Sequence, residues 1–143
     1  MDKKAVFYIL EDAETKSHNL CAARLAEKAY TANRSVYILV NDADEAYNLD
    51  TSLWTFRDIS FVPHAIYNNN PNPVPQVLIG YKKNPPPTHI DVLINLTAEI
   101  PSFYHEFAHI IEIVINEQKS RALSREHYKF YKQEGFTLET HNV

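Results

Sequence analysis

The sequence predicts a single-domain α/β fold, an open, doubly wound and mostly parallel sheet that lacks a phosphate-binding loop. Three observations lead there. Short apolar runs alternate with stretches of helical periodicity, the pattern of parallel strands joined by crossover helices. The runs are almost continuously apolar, as strands covered on both faces must be. The 143 residues include only two glycines, Gly80 and Gly135, where average usage would give about ten. Phosphate-cradling loops need glycine for positive φ and for close approach of the backbone. Neither a dinucleotide fingerprint nor a Walker A loop can be written with this pair, and no G-x-S-x-G elbow is present.

The elements follow in order. Ala5–Leu10 (AVFYIL) reads as a buried strand. Ser17 is a candidate cap for the helix that follows, where Leu20, Ala23, Leu25, Ala26, Ala29 and Tyr30 recur at helical spacing. Ser35–Val40 (SVYILV) is a second strand, and Asp42 caps a helix running to about Trp54. A strand over Phe61–Ile66 precedes the turn-rich tract NNNPNPVP at 68–75. Gln76–Tyr81 is the next strand, KKNPPPT at 82–88 an extended loop, and Ile90–Leu96 (IDVLINL) a further strand. Three strands with only loops between them imply that part of the sheet is antiparallel. Two helices close the chain, at about Ile100–Ile115 and Lys119–Glu134, with Gly135 ending the second. There is no internal repeat and no composition break, so residues 1–143 form one domain.

Composition narrows the function. With 45% hydrophobic residues the chain can build a core, and one cysteine, Cys21, allows neither an intrachain disulfide nor a cysteine zinc site. A reducing, cytoplasmic setting is expected. The opening MDKKAVFYIL is too short in its apolar part for a secretory signal, and no run of about 18 apolar residues suggests a membrane span. No cofactor is expected. The net charge of −4 argues against generic nucleic-acid binding. It is also unevenly spread. Residues 1–117 carry nine Lys/Arg against 15 Asp/Glu, whereas residues 118–143 carry five against three.

His105-Glu106-Phe107-Ala108-His109 matches H-E-x-x-H, which on a helix would place two zinc ligands on one face beside a general base. A small zinc metallohydrolase is therefore the alternative function. Against it, the metzincin continuation would need Gly and His where the chain has Glu112 and Ile115. In the expected helix, Phe103, Phe107, Ile110 and Val114 form the apolar stripe, and His105, His109 and Glu112 lie opposite on a solvated face.

Two surfaces are better candidates. In QKSRALSREHYKFYKQEG (118–135), Leu123, His127, Phe130 and Tyr131 fall on one side of a helix. Arg121, Arg125, Tyr128, Lys129 and Lys132 fall within an arc of about 100° on the other. No acid lies in that arc. Cations around an aromatic ring suit a small anionic partner, a short acidic peptide with a free carboxylate above all. The second surface is the aromatic segment around Trp54, the only tryptophan, and Phe61-Val62-Pro63-His64, a pattern found at interface hot spots.

FYIL, NLDTSLW, SFVPH, IDVLINL and the C-terminal REHYKFYKQEGFTL together resemble one family nearly end to end. It is the chi subunit of bacterial DNA polymerase III holoenzyme. The resemblance implies a Rossmann-like three-layer fold without nucleotide chemistry. It also implies a non-catalytic accessory subunit of the clamp-loader assembly, touching DNA only indirectly. The implied partners are the psi subunit and the acidic C-terminal tail of single-stranded-DNA-binding protein. By resemblance the tail site comprises Val114, Arg121, Arg125, Tyr128 and Lys129. There Arg125 and its basic neighbours hold the carboxylates, and Val114 and Tyr128 frame a slot for the tail's last phenylalanine. The psi surface comprises Trp54, Phe61, Val62 and Pro63, with His64 at its edge and a repair helicase as a conceivable competitor. H-E-x-x-H is not part of the family pattern.

Overall fold

The computed structural model describes residues 3–55, 63–67, 75–81 and 91–143. Its strands are β1 (Lys4–Ile9), β2 (Val36–Leu39), β3 (His64–Ile66), β4 (Val77–Gly80), β5 (Val92–Asn95), β6 (His109–Val114) and β7 (Thr137–Asn142). The helices are α1 (Thr15–Thr31), α2 (Ala43–Thr55) and α3 (Gln118–Gln133), with a short 3-10 turn at Tyr104–Glu106. The seven strands form one sheet in the order β3-β4-β2-β5-β6-β1-β7.

Every pairing among the described residues is parallel, so the antiparallel section expected in the middle does not occur among them. The physical reason is burial. All four residues of β2, of β4 and of β5 are buried, which requires cover on both faces and favours parallel neighbours. Alternate side chains feed two cores. Val36, Ile38, Ile79, Val92, Ile94, Ile111 and Ile113 pack against Ala22, Ala23 and Ala26 of α1 and Ala46, Leu49 and Leu53 of α2. Ala5, Phe7, Tyr37, Leu39, Leu93, Ile110 and Val114 pack against Phe103, Phe107 and Tyr131 on the opposite face. The result is three layers, helix–sheet–helix.

Two boundaries differ from expectation. Ser17 is not a cap. α1 starts two residues earlier, and the Asp12 carboxylate serves its N-terminus, accepting the Glu14 N–H at 2.9 Å and the Ser17 hydroxyl at 2.9 Å. The helix expected at 100–115 is instead the 3-10 turn followed by β6. Four of the six residues in HIIEIV are β-branched, which a pleated sheet accommodates better than a helix. β6 then pairs with β1 from Lys4↔His109 to Ile9↔Val114 and with β5 on its other side. Asp42 does cap α2, accepting the Glu45 N–H at 2.9 Å, while Glu45 Oε1 accepts the Asn41 N–H at 3.0 Å.

Both glycines have structural reasons. Gly135 ends α3 at φ 88°, a left-handed conformation, and the Phe136 N–H returns to the Tyr131 carbonyl at 3.0 Å. Gly80 lies beneath the ring of Tyr37, where a Cβ would sit 1.8 Å from the hydroxyl oxygen. The chain after Gly135 forms β7, an edge strand on β1 that the sequence reading left unassigned.

Candidate functional site

The strongly amphipathic α3 presents the basic row to solvent. Arg121, Arg125, Lys129 and Lys132 are exposed, and Tyr128, 39% exposed, lies among them with its ring 5.7 Å from that of Phe7 in β1. Spacings of three and four residues keep these side chains on one helical face. Among the described residues, none of the four cations makes an ion pair. Their charge is therefore available to a ligand. An arginine can pair both oxygens of a carboxylate, and a half-exposed tyrosine can support an aromatic side chain.

The inner face of α3 is held by a polar network that the sequence reading did not find. Glu112, expected on a solvated helix face, is only 5% exposed in the middle of β6. Its Oε1 lies 2.9 Å from His127 Nδ1, and its Oε2 accepts the Tyr131 hydroxyl at 2.8 Å and Asn95 Nδ2 at 3.0 Å. His127 Nε2 lies 3.1 Å from the Ala98 carbonyl, and Asn95 Nδ2 also donates to the Glu99 carbonyl at 3.0 Å. Asn95 Oδ1 accepts the Thr97 backbone N–H at 3.0 Å.

Both nitrogens of His127 thus face acceptors, and against a Glu112 carboxylate only a ring with a hydrogen on each satisfies both. Burial alone would lower the pKa of His127. The hydrogen bond and charge of Glu112, and then the Ala98 carbonyl, outweigh it and raise the pKa above its ordinary value. Burial and the adjacent Glu112 raise the pKa of Tyr131, so its hydroxyl stays protonated and donates to Glu112. The sequence did carry a signal for this network. Glu112 interrupts the β-branched run IIEIVI, and a carboxylate inside such a strand needs a buried partner.

Val114 ends β6 at 3% exposure and shares a core with Phe7 and Tyr131. It lies beneath α3 and not on a neighbouring helix. Among the other expected residues, Trp54 falls in the last turn of α2, and Phe61 and Val62 lie outside the described residues. Pro63 is half-buried just before the edge strand β3. The His64 side chain is only 1% exposed, with Nε2 3.0 Å from Asp50 Oδ1, so it joins β3 to α2.

The H-E-x-x-H residues do not share a helical face. His105 and Glu106 are in the 3-10 turn, whereas His109 starts β6. His109 Nδ1 lies 2.9 Å from an Arg34 guanidinium nitrogen. Burial, then the charges of Arg34 and Lys4, lower its pKa to about 4. The geometry that a zinc hydrolase would need is absent here, and no group of three or more His, Cys, Asp or Glu among the described residues is placed to hold a metal ion. No helix among those residues is long and apolar enough to cross a membrane.

The family model described as "DNA polymerase III chi subunit, HolC" matches residues 2–139. A DNA polymerase III subunit chi of Pseudomonas aeruginosa is 34% identical over 137 residues, covering 96% of this chain and 94% of that protein. The Escherichia coli subunit chi is 32% identical over 143 aligned positions, covering 96% and 97%. That of Haemophilus influenzae is 34% identical over 146 aligned positions, covering 100% and 99%. Among solved structures, the crystal structure of T4 UvsW superimposes with a TM-score of 0.66 at 7% identity, covering 99% of this chain and 41% of that one. At that identity the likeness is one of fold alone.

Proposed function

Since the chain belongs to the DNA polymerase III chi subunit family, we propose that it is a non-catalytic adaptor of the polymerase holoenzyme. In this reading it joins the psi subunit of the clamp-loader assembly to the acidic C-terminal tail of single-stranded-DNA-binding protein, and meets DNA only through that protein. The observation that carries the reading is the row of exposed cations without ion-pair partners around Tyr128 on α3. Arg125, Arg121 and Lys129 supply charge-assisted hydrogen bonds to the tail's carboxylates. Tyr128 gives its terminal phenylalanine an aromatic platform, with Val114 as apolar support beneath the helix. The psi contact falls to Trp54, Phe61, Val62 and Pro63, with His64 at its edge.

Calorimetric titration with an acidic peptide ending in phenylalanine tests the tail site. Binding should weaken with rising salt, and Arg125→Ala should cost about tenfold or more in affinity. Undiminished affinity in Arg125→Ala overturns the assignment. Trp54→Ala should weaken the psi contact and leave peptide affinity unchanged. Equal loss of both would reduce the effect to a folding defect.

A further inference from the structure

Glu112 sits where a carboxylate is costly. It is nearly fully buried on the interior strand β6, between β5 and β1. A charge there persists only with partners that replace its lost hydration. Two of those partners, His127 and Tyr131, are four residues apart on α3 and therefore share one helical face. Two anchor points at this spacing fix both the rotation of the helix and its height along its own axis. A shift of one residue, roughly 100° and 1.5 Å, would break both. Tyr128 and Lys129 follow His127 directly, and Arg125 precedes it by two, so their direction is set by the same contacts.

The His127 clamp has a further property. Nδ1 meets the Glu112 carboxylate and Nε2 meets the Ala98 carbonyl, so a neutral ring can satisfy only one of them. Its loss of a proton turns a lone pair toward an acceptor and loosens one of the two anchors.

We infer that His127 is a positioning residue for the anion-binding face: its imidazolium, held between Glu112 and the Ala98 carbonyl, sets α3 so that Arg121, Arg125, Tyr128 and Lys129 point outward together. The inference rests on the acidic-peptide reading of that face. The surroundings favour the charged ring. Glu112 touches it from β6, Glu126 on α3 adds a favourable charge, and Glu99 of the preceding turn lines the same cleft. Glu117 and Lys119, at the start of α3, line the neighbouring cleft with opposite charges. His18 of α1 also lines it, and burial lowers its pKa, which favours the neutral ring.

The sign follows from a folded-state pKa that is raised. The clamp is complete below the ordinary histidine value of 6.5 and is lost as pH rises through the folded value.

The test uses the full chain. It combines NMR titration of the His127 ring, amide exchange along α3 and calorimetry with the phenylalanine-ended acidic peptide, from about pH 5.5 to about 9. The ring should titrate above 6.5. Intrinsic exchange being corrected for, α3 protection and peptide affinity should both fall with that midpoint, by about tenfold for the loss of one charge-assisted hydrogen bond. His127→Arg keeps a charge and two donors, so it should retain the affinity and abolish the pH dependence. Glu112→Gln should lower the midpoint of the ring. A ring that titrates at or below 6.5, or an unchanged pH profile in His127→Arg, overturns the inference. If the peptide binds at no pH while α3 protection still follows the ring, the anchoring of α3 is supported and the peptide reading is overturned.

Discussion

Replacing Gly80 by alanine probes the packing that joins β4 to β2. The added Cβ would lie 1.8 Å from the Tyr37 hydroxyl oxygen, 2.4 Å from Cζ and 2.8 Å from Cε1. Relief requires the ring to withdraw by more than about 1 Å, and dense interiors resist such movement. Tyr37 is 0% exposed, with Phe103 and Tyr67 against it at ring-centroid distances of 6.0 and 6.5 Å. Overpacking costs about 1–3 kcal/mol in general, and overlap with a ring confined on two sides belongs at the upper end, about 3 kcal/mol. In a domain of this size that lowers Tm by roughly 10 °C. Thermal and urea unfolding monitored by circular dichroism would measure it. Tyr37→Leu, which has neither Cζ nor the hydroxyl, is destabilising alone but should recover part of the loss in combination with Gly80→Ala. The coupling between the two should be about 1–3 kcal/mol. An unchanged Tm in Gly80→Ala, or strict additivity in the pair, would refute the reasoning.

Further outcomes follow from single residues. Among the described residues the Tyr37 hydroxyl has no hydrogen-bond partner, and burial pushes its pKa up to about 12. Tyr37→Phe should therefore leave stability unchanged or raise it, which the same unfolding curves would show. His109, with a pKa lowered to about 4, is neutral in the native state. Its contribution to stability is present above the ordinary value of 6.5 and is lost as pH falls toward the folded value. NMR titration should place its midpoint near 4, and Arg34→Met should move it upward but not fully back, since burial remains the larger cause. Gly135→Ala meets no atom within 4 Å but must adopt φ 88°, so it should cost about 1–2 kcal/mol by backbone strain alone, measured as a shift in the urea midpoint.

The strand β6 shows why part of the fold was hidden in the sequence. Phe103, Phe107, Ile110 and Val114 have the spacing of a helical stripe, and all four do reach one core. Ile110 and Val114 also share a face in an extended strand, because a spacing of four satisfies both periods. β-branching was the signal that separated the two readings. β7 was hidden for another reason. TLETHN has no apolar pattern, and its strand conformation comes from pairing with β1 along Lys4–Ile9. His127 and Tyr131 were legible as inward-facing, but their partner Glu112 lies on another element and could not be located by periodicity.

The sequence by itself determined what is local. It specified the alternation of strands and helices, the exclusion of glycine-rich phosphate loops, the termination of α3 at Gly135, the basic row on that helix and the motifs of its family. The tertiary structure alone decided which elements meet. It made every strand parallel, separated His105 from His109, placed Tyr37 over Gly80 and buried Glu112 against His127 and Tyr131. The physical reason is that backbone periodicity is written along the chain. The desolvation that makes a buried carboxylate need its partners, and the sterics that make a strand need glycine, exist only between segments brought together by folding.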